Sequence, residues 1–240
     1  MLFDQTELGV GTGFFWQTDS NLYLITNWHN VSGIDPFTGK HVSEETAAEP
    51  NRLRIWWNAK GKLWQKFSAT HPIKDSNDKP LWLVHPTYKN QIDVVALPIS
   101  APDNAEPYPI NEMPHDDLRL QAGMDVFVLG YPFGITHSGL PIWKRGSIAS
   151  EPEILDPKRP VILIDSATRR GMSGAPVIRR SWGTHTMADG NPWFGSPTAT
   201  KFVGVYSGRM ATKDQNDPQL GLTWPTKFVE EIVNGRTVDP

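Results

Sequence analysis

Short apolar runs recur along the whole chain and never lengthen into a helical pattern. Twelve can be marked, at positions 13–16, 23–26, 53–57, 63–69, 82–85, 94–99, 126–130, 142–150, 161–164, 175–178, 202–206 and 220–224. Clusters of Gly, Pro, Asn and Asp separate them, and no sustained 3.6-residue period competes. Many brief strands with turn-rich joints point to antiparallel barrels or a sandwich. The tail is the exception. Pro225 opens a helix over 226–233, with Phe228, Val229, Ile232 and Val233 on one face and Asn234-Gly235 as its stop. The stretch 100–114 holds four prolines, which stiffen it, disfavour a central strand and mark it as a linker.

Composition removes several function classes. The 240 residues contain no cysteine, which excludes disulfides, a thiol nucleophile and thiolate metal sites. A formal net charge of −3 offers no broad surface for a polyanion. No apolar run approaches membrane-spanning length, and Met1-Leu2-Phe3-Asp4 does not begin a signal peptide. The expected location is the cytoplasm.

One turn carries chemistry. Gly171-Met172-Ser173-Gly174 sits between the apolar runs 161–164 and 175–178, and its glycines allow a sharp bend with close approach to the serine. Such a serine attacks a carbonyl only if a base takes its proton and N–H groups receive the oxyanion. The chain has a candidate base at the end of an apolar run, His29 in Asn27-Trp28-His29-Asn30, and a candidate carboxylate at the start of another, Asp93 in Ile92-Asp93-Val94-Val95. The order His, Asp, Ser is that of chymotrypsin-type enzymes rather than subtilisins or α/β-hydrolases.

Here a resemblance becomes specific. The chain resembles trypsin-like serine proteases of chymotrypsin fold, nearest to HtrA/Deg-type protease domains. The matching blocks are Gly11-Thr12-Gly13-Phe14-Phe15 with Leu24 to His29, Asp93 to Leu97, Val126 to Gly134, and Asp165-Ser166-Ala167 with Gly171 to Val177. The resemblance implies an all-β fold of two antiparallel six-stranded barrels with a C-terminal helix. The expected divisions are 1–112, carrying the histidine and aspartate, 113–224, carrying the serine, and a helical tail over 225–240. It implies a serine endopeptidase acting on polypeptides through His29, Asp93 and Ser173, with the N–H groups of Gly171 and Ser173 as oxyanion hole and no cofactor or metal. The substrate pocket is implied at Ala167, Thr168, Tyr206, Ser207 and Arg209. Ala167 stands where trypsins place an aspartate, so cleavage after Lys or Arg is not expected, while Thr168 offers a hydroxyl for an uncharged polar or acidic side chain. Arg209 either meets an acidic group or closes the pocket in favour of small apolar residues. Met172 replaces the aspartate that pairs with a freed N-terminus in zymogens, so no activating cleavage is expected. The resemblance is to a protease domain without a PDZ domain, and the oligomeric state is open.

Two other readings of the same residues stay open. One is a degenerate protease that docks peptides along Val205-Tyr206-Ser207-Gly208 without cutting them; the other is a serine hydrolase acting on esters. Remaining motifs carry less. Gly9-x-Gly11-x-Gly13 lacks the strand–loop–helix setting of a phosphate cradle. Arg54-Ile55-Trp56-Trp57 and Leu63-Trp64, with nearby lysines, read better as a hairpin turning at 59–61 than as a stacking platform for single strands. His41 lies near Glu44 and Glu45, but their spacing fixes no metal. The loops 33–51 and 183–200 read chiefly as solvated surface.

Overall fold

The computed structural model describes residues 1–43, 47–210 and 218–240. Glu44 and Glu45 therefore lie outside the described residues. Strands hold 43% of the chain and helices 9%, so the all-β class inferred from the alternating runs holds.

The first half contains β1 (Leu2–Phe3), β2 (Thr6–Glu7), β3 (Phe14–Gln17), β4 (Leu22–Thr26), α1 (Trp28–Ser32), β5 (Arg52–Ala59), β6 (Lys62–Pro72), β7 (Leu83–Val84) and β8 (Val95–Ile99). Period-two patterning is plain in β5. Leu53, Ile55 and Trp57 are buried while Arg52, Arg54 and Trp56 face outward, because successive side chains point to opposite faces. β5 and β6 form the hairpin expected around 59–61. Their inward face packs on β3 and β4, with Trp57 stacked on Phe15 at 4.7 Å between ring centroids.

The second half contains β9 (Asp125–Gly130), β10 (Ile142–Ile148), β11 (Ile162–Asp165), β12 (Pro176–Trp182), β13 (His185–Thr186), β14 (Pro192–Trp193), β15 (Thr198–Arg209) and β16 (Leu220–Pro225). Six of these close a barrel in the order β10-β11-β16-β15-β12-β9. α2 (Thr226–Gly235) and β17 (Thr237–Val238) follow. Phe228, Val229, Ile232 and Val233 are buried, as their spacing requires. The helix runs through Asn234-Gly235 and stops at Arg236, which takes the left-handed conformation.

With this closed barrel and C-terminal helix, the architecture is chymotrypsin-like. The first half is built as two sheets, β2-β1-β5-β6 and β17-β7-β8-β4-β3. Its second sheet gains an outer strand only when the chain returns after α2, with Thr237 opposite Val84 and Val238 opposite Leu83. A mixed core joins the halves. Trp16, Ile25, Ile92 and Val94 from the first half pack with Phe202, Val205, Trp224 and the apolar face of α2.

Candidate active site

His29 lies in the one-and-a-half-turn helix α1, directly after β4. β4 pairs with β8 in a register that sets Thr26 opposite Val95, and this brings Asp93, two residues before β8, alongside His29. The His29 N–H donates to Asp93 Oδ1 at 3.0 Å, and Nδ1 lies 2.7 Å from Oδ2. A buried carboxylate can only accept, so Nδ1 carries the proton and Nε2 is left as the basic atom.

Asp93 is 1% exposed at its side chain, which makes an unpaired charge there expensive. Three donors meet it: the His29 N–H, the His29 ring and the hydroxyl of Ser207, which donates to Oδ2. Asn27 Nδ2 adds a bond to the Asp93 carbonyl at 2.6 Å. Burial alone would lower the pKa of His29. The charge of Asp93, its hydrogen bond and the more distant Asp35 reverse this, so the imidazole titrates above its ordinary 6.5.

Ser173 comes from the barrel half, on the turn entering β12. Gly171 and Gly174 have φ of +92° and +87°, the left-handed region that L side chains rarely adopt. A Cβ on Gly174 would also meet Thr12 O at 2.1 Å and Thr26 Oγ1 at 2.4 Å. The turn is thus pressed against the first half and bonded to it. The Ser173 carbonyl accepts from the Thr12 N–H at 2.9 Å and Asn30 Nδ2 at 3.0 Å. Thr12 Oγ1 donates to Gly171 O at 2.7 Å and accepts from the Tyr131 N–H at 3.2 Å. Thr26 Oγ1 donates to Thr12 O and accepts from Asn30 Nδ2, completing the seam. Thr12, Thr26 and Asn30 all lie in segments singled out in the sequence, but their service to Ser173 depends on a contact between distant residues.

Among the described residues, the N–H groups of Gly171 and Ser173 have no acceptor within the protein, and the turn is held by its carbonyls instead. Such a pair is available to an external oxygen. Ser173 Oγ makes no hydrogen bond to His29 Nε2 among the described residues, a looseness common where no substrate is bound. Met172 is fully buried in the barrel core, with no charge to pair with an amine.

The structure redistributes the hydroxyls assigned to a substrate pocket. Thr168 is fully buried and its hydroxyl is bonded to that of Tyr206, so it does not face a cleft. Ser207 is turned to Asp93. Each hydroxyl finds a buried partner far away in sequence, where desolvation rewards pairing. Ala167 is half-buried and Arg209 exposed, at the end of β15 where pairing with β12 has ceased and only β16 remains alongside.

A separate concavity of about 410 Å³, lined by Trp16, Asn111, His115, Asp116, Lys201 and Glu230, includes none of the three candidate catalytic residues. Among the described residues, no three His, Asp or Glu side chains are grouped to hold a metal ion, and no helix is long and apolar enough to cross a membrane.

Comparison with known proteins places the chain. Deg5 matches over 95% of this chain and 83% of its own, at 16% identity and a TM-score of 0.54, a likeness of fold. The inactive form of the Rv3671c protease of M. tuberculosis H37Rv aligns at 21% identity over 94% of this chain and 83% of its own, with a TM-score of 0.46. The MamO protease domain of Magnetospirillum magneticum aligns at 15% identity over 92% and 87%, with a TM-score of 0.48. No curated protein matches the sequence. The family model of the trypsin-like peptidase domain matches residues 11–184, from the seam residue Thr12 through His29, Asp93 and Ser173, and the chain belongs to that family of proteases.

Proposed function

We propose that this protein is a serine endopeptidase working through His29, Asp93 and Ser173 and an acyl-enzyme. The observation that carries the reading is the contact of His29 with the buried Asp93, 2.7 Å apart, together with a serine turn whose carbonyl is bonded to Asn30, on the same short helix as His29, and to the Thr12 N–H.

His29 Nε2 takes the proton from Ser173 Oγ as the oxygen attacks the peptide carbonyl, and the resulting imidazolium delivers it to the leaving amine. Asp93 fixes the tautomer and offsets the imidazolium charge. The N–H groups of Gly171 and Ser173 receive the oxyanion. Water, activated by the same imidazole, then releases the acyl group. A fluorophosphonate probe should label the protein at Ser173, and digestion of a proteome-derived peptide library should yield new termini that disappear in Ser173→Ala. Labelling without peptide cleavage but with ester turnover would point to an esterase; neither would point to a peptide-binding module.

For the residue before the scissile bond, the pocket offers no carboxylate at Ala167, and Thr168, Tyr206 and Ser207 spend their hydroxyls internally. An uncharged or acidic residue is therefore favoured over a basic one, with Arg209 as the group that decides between them. Peptides differing only at this position, with Glu, Gln, Val, Leu or Lys, resolve it. Fastest cleavage after Lys would refute this pocket; preference for Val or Leu would assign Arg209 to closing it, and preference for Glu to binding within it.

A further inference from the structure

The segment after α2 does more than add a strand. Asp239 follows β17, and its Oδ2 accepts from two indoles, Trp28 Nε1 at 2.7 Å and Trp82 Nε1 at 2.8 Å. The Asp239 N–H donates to Trp82 O at 3.2 Å, continuing the β17–β7 ladder. Both indoles are buried, 8% and 2% exposed. One carboxylate oxygen thus holds two donors that would otherwise be buried without an acceptor.

The placement of the two tryptophans gives the contact its meaning. Trp28 is the first residue of α1 and immediately precedes His29. Trp82 immediately precedes β7, which pairs with β8 through Leu83 and Ala96, and β8 begins two residues after Asp93. Asp239 therefore touches the supports of both the base and its carboxylate, while touching neither group. α1 has only five residues, and its N-cap Asn27 makes no side-chain capping bond, so little within the helix itself fixes its entry. α2 itself is secured separately, just beyond β7, by the contact of His85 Nε2 with Glu231 Oε2 at 2.7 Å.

We infer that Asp239 is a positioning residue for the His29–Asp93 pair, and that the tail after α2 is a latch on which catalytic competence depends. The inference rests on His29 serving as the base. Release of the latch frees the Trp28 indole, lets α1 turn in its seat, and misaligns Nε2 from Ser173 without disturbing the substrate strand at the end of β15.

The test is a set of variants assayed for kcat, KM and fluorophosphonate labelling rate, with thermal unfolding as the check on folding. Asp239→Ala should lower kcat at least tenfold with KM within twofold, and slow labelling in parallel. Asp239→Asn, whose amide oxygen can accept both indoles, should restore most of kcat. Trp28→Phe keeps the ring packing and removes one donor, so it should follow Asp239→Ala in kcat; Trp82→Phe should have the smaller effect. A folded Asp239→Ala with unchanged kcat overturns the inference, as does a loss appearing only in KM or an equal loss in Asp239→Asn. If Asp239→Ala does not fold, Trp28→Phe decides, and unchanged kcat there overturns it. His29→Ala is the control: retained activity in that variant would remove the catalytic assignment itself, a failure distinct from that of the latch.

Discussion

The barrel of β9–β12, β15 and β16 closes through its own strands, whereas the first half remains two sheets, one of them lacking its outer strand until β17 arrives from the far end of the chain. The barrel half is complete at Pro225; the half with His29 and Asp93 is not complete until residue 238 has docked. Ser173 thus belongs to the self-contained region and His29 to the dependent one. Closure removes edges and fixes register within one region, while an open sheet can be finished, and so controlled, from outside itself.

The largest effect tests whether the two regions act as one machine. Ser173→Ala, in the barrel, and His29→Ala, in the first half, should each reduce turnover on the order of 10⁶-fold, and the double variant should be no worse. Turnover kinetics on one peptide would check this, and additive losses would mean the halves contribute separately.

Next is the contact between them. Gly174→Ala sets a Cβ 2.1 Å from Thr12 O and 2.4 Å from Thr26 Oγ1, on a backbone already in the left-handed region. The halves must part or the turn must refold, at a cost above about 4 kcal/mol. Thermal or chemical unfolding measures it. A variant of near-normal stability would show that the seam yields easily and that the halves are more independent than their hydrogen bonds imply.

Ser207→Ala removes a hydroxyl that crosses from the barrel to the Asp93 carboxylate. A hydrogen bond to a charged group contributes about 1.5–3 kcal/mol, so kcat/KM should fall about 10- to 100-fold. No change in kcat/KM would leave orientation of the acid to the first half alone.

The mildest probe is pH. The folded pKa of His29 is raised above 6.5, so the imidazole stays protonated, and useless as a base, until the pH passes that higher value. The acidic limb of kcat/KM should have its midpoint above 6.5. By linkage, the same shift stabilises the fold most fully below pH 6.5, and that contribution fades as pH rises through the raised pKa. A midpoint below 6.5 would show that burial, not Asp93, governs the imidazole.

Much of this was legible in the chain because it is local. The strand runs, the hairpin of β5 and β6 and the buried face of α2 follow from periodicity and turn residues. His29, Asp93 and Ser173 stand in strand and turn settings that their neighbours announce. What escaped is non-local. Ser207 and Thr168 carry the same hydroxyl whether they face a cleft or a buried partner, and only the pairings with Asp93 and Tyr206, 114 and 38 residues away, decide. Nor does Thr237-Val238-Asp239 read as a strand, since two ladder residues give no period; its role comes from β7 and two indoles.

The bond from the Thr12 N–H to the Ser173 carbonyl also makes the molecule its own gauge. That amide proton exchanges with solvent only when the Ser173 turn separates from the segment that precedes β3. Its exchange rate therefore counts how often the reactive arrangement comes apart in the resting protein, and comparison with barrel amides such as that of Val177 separates this opening from global unfolding. One peptide signal can then report, without substrate, how long the assembled site endures between openings.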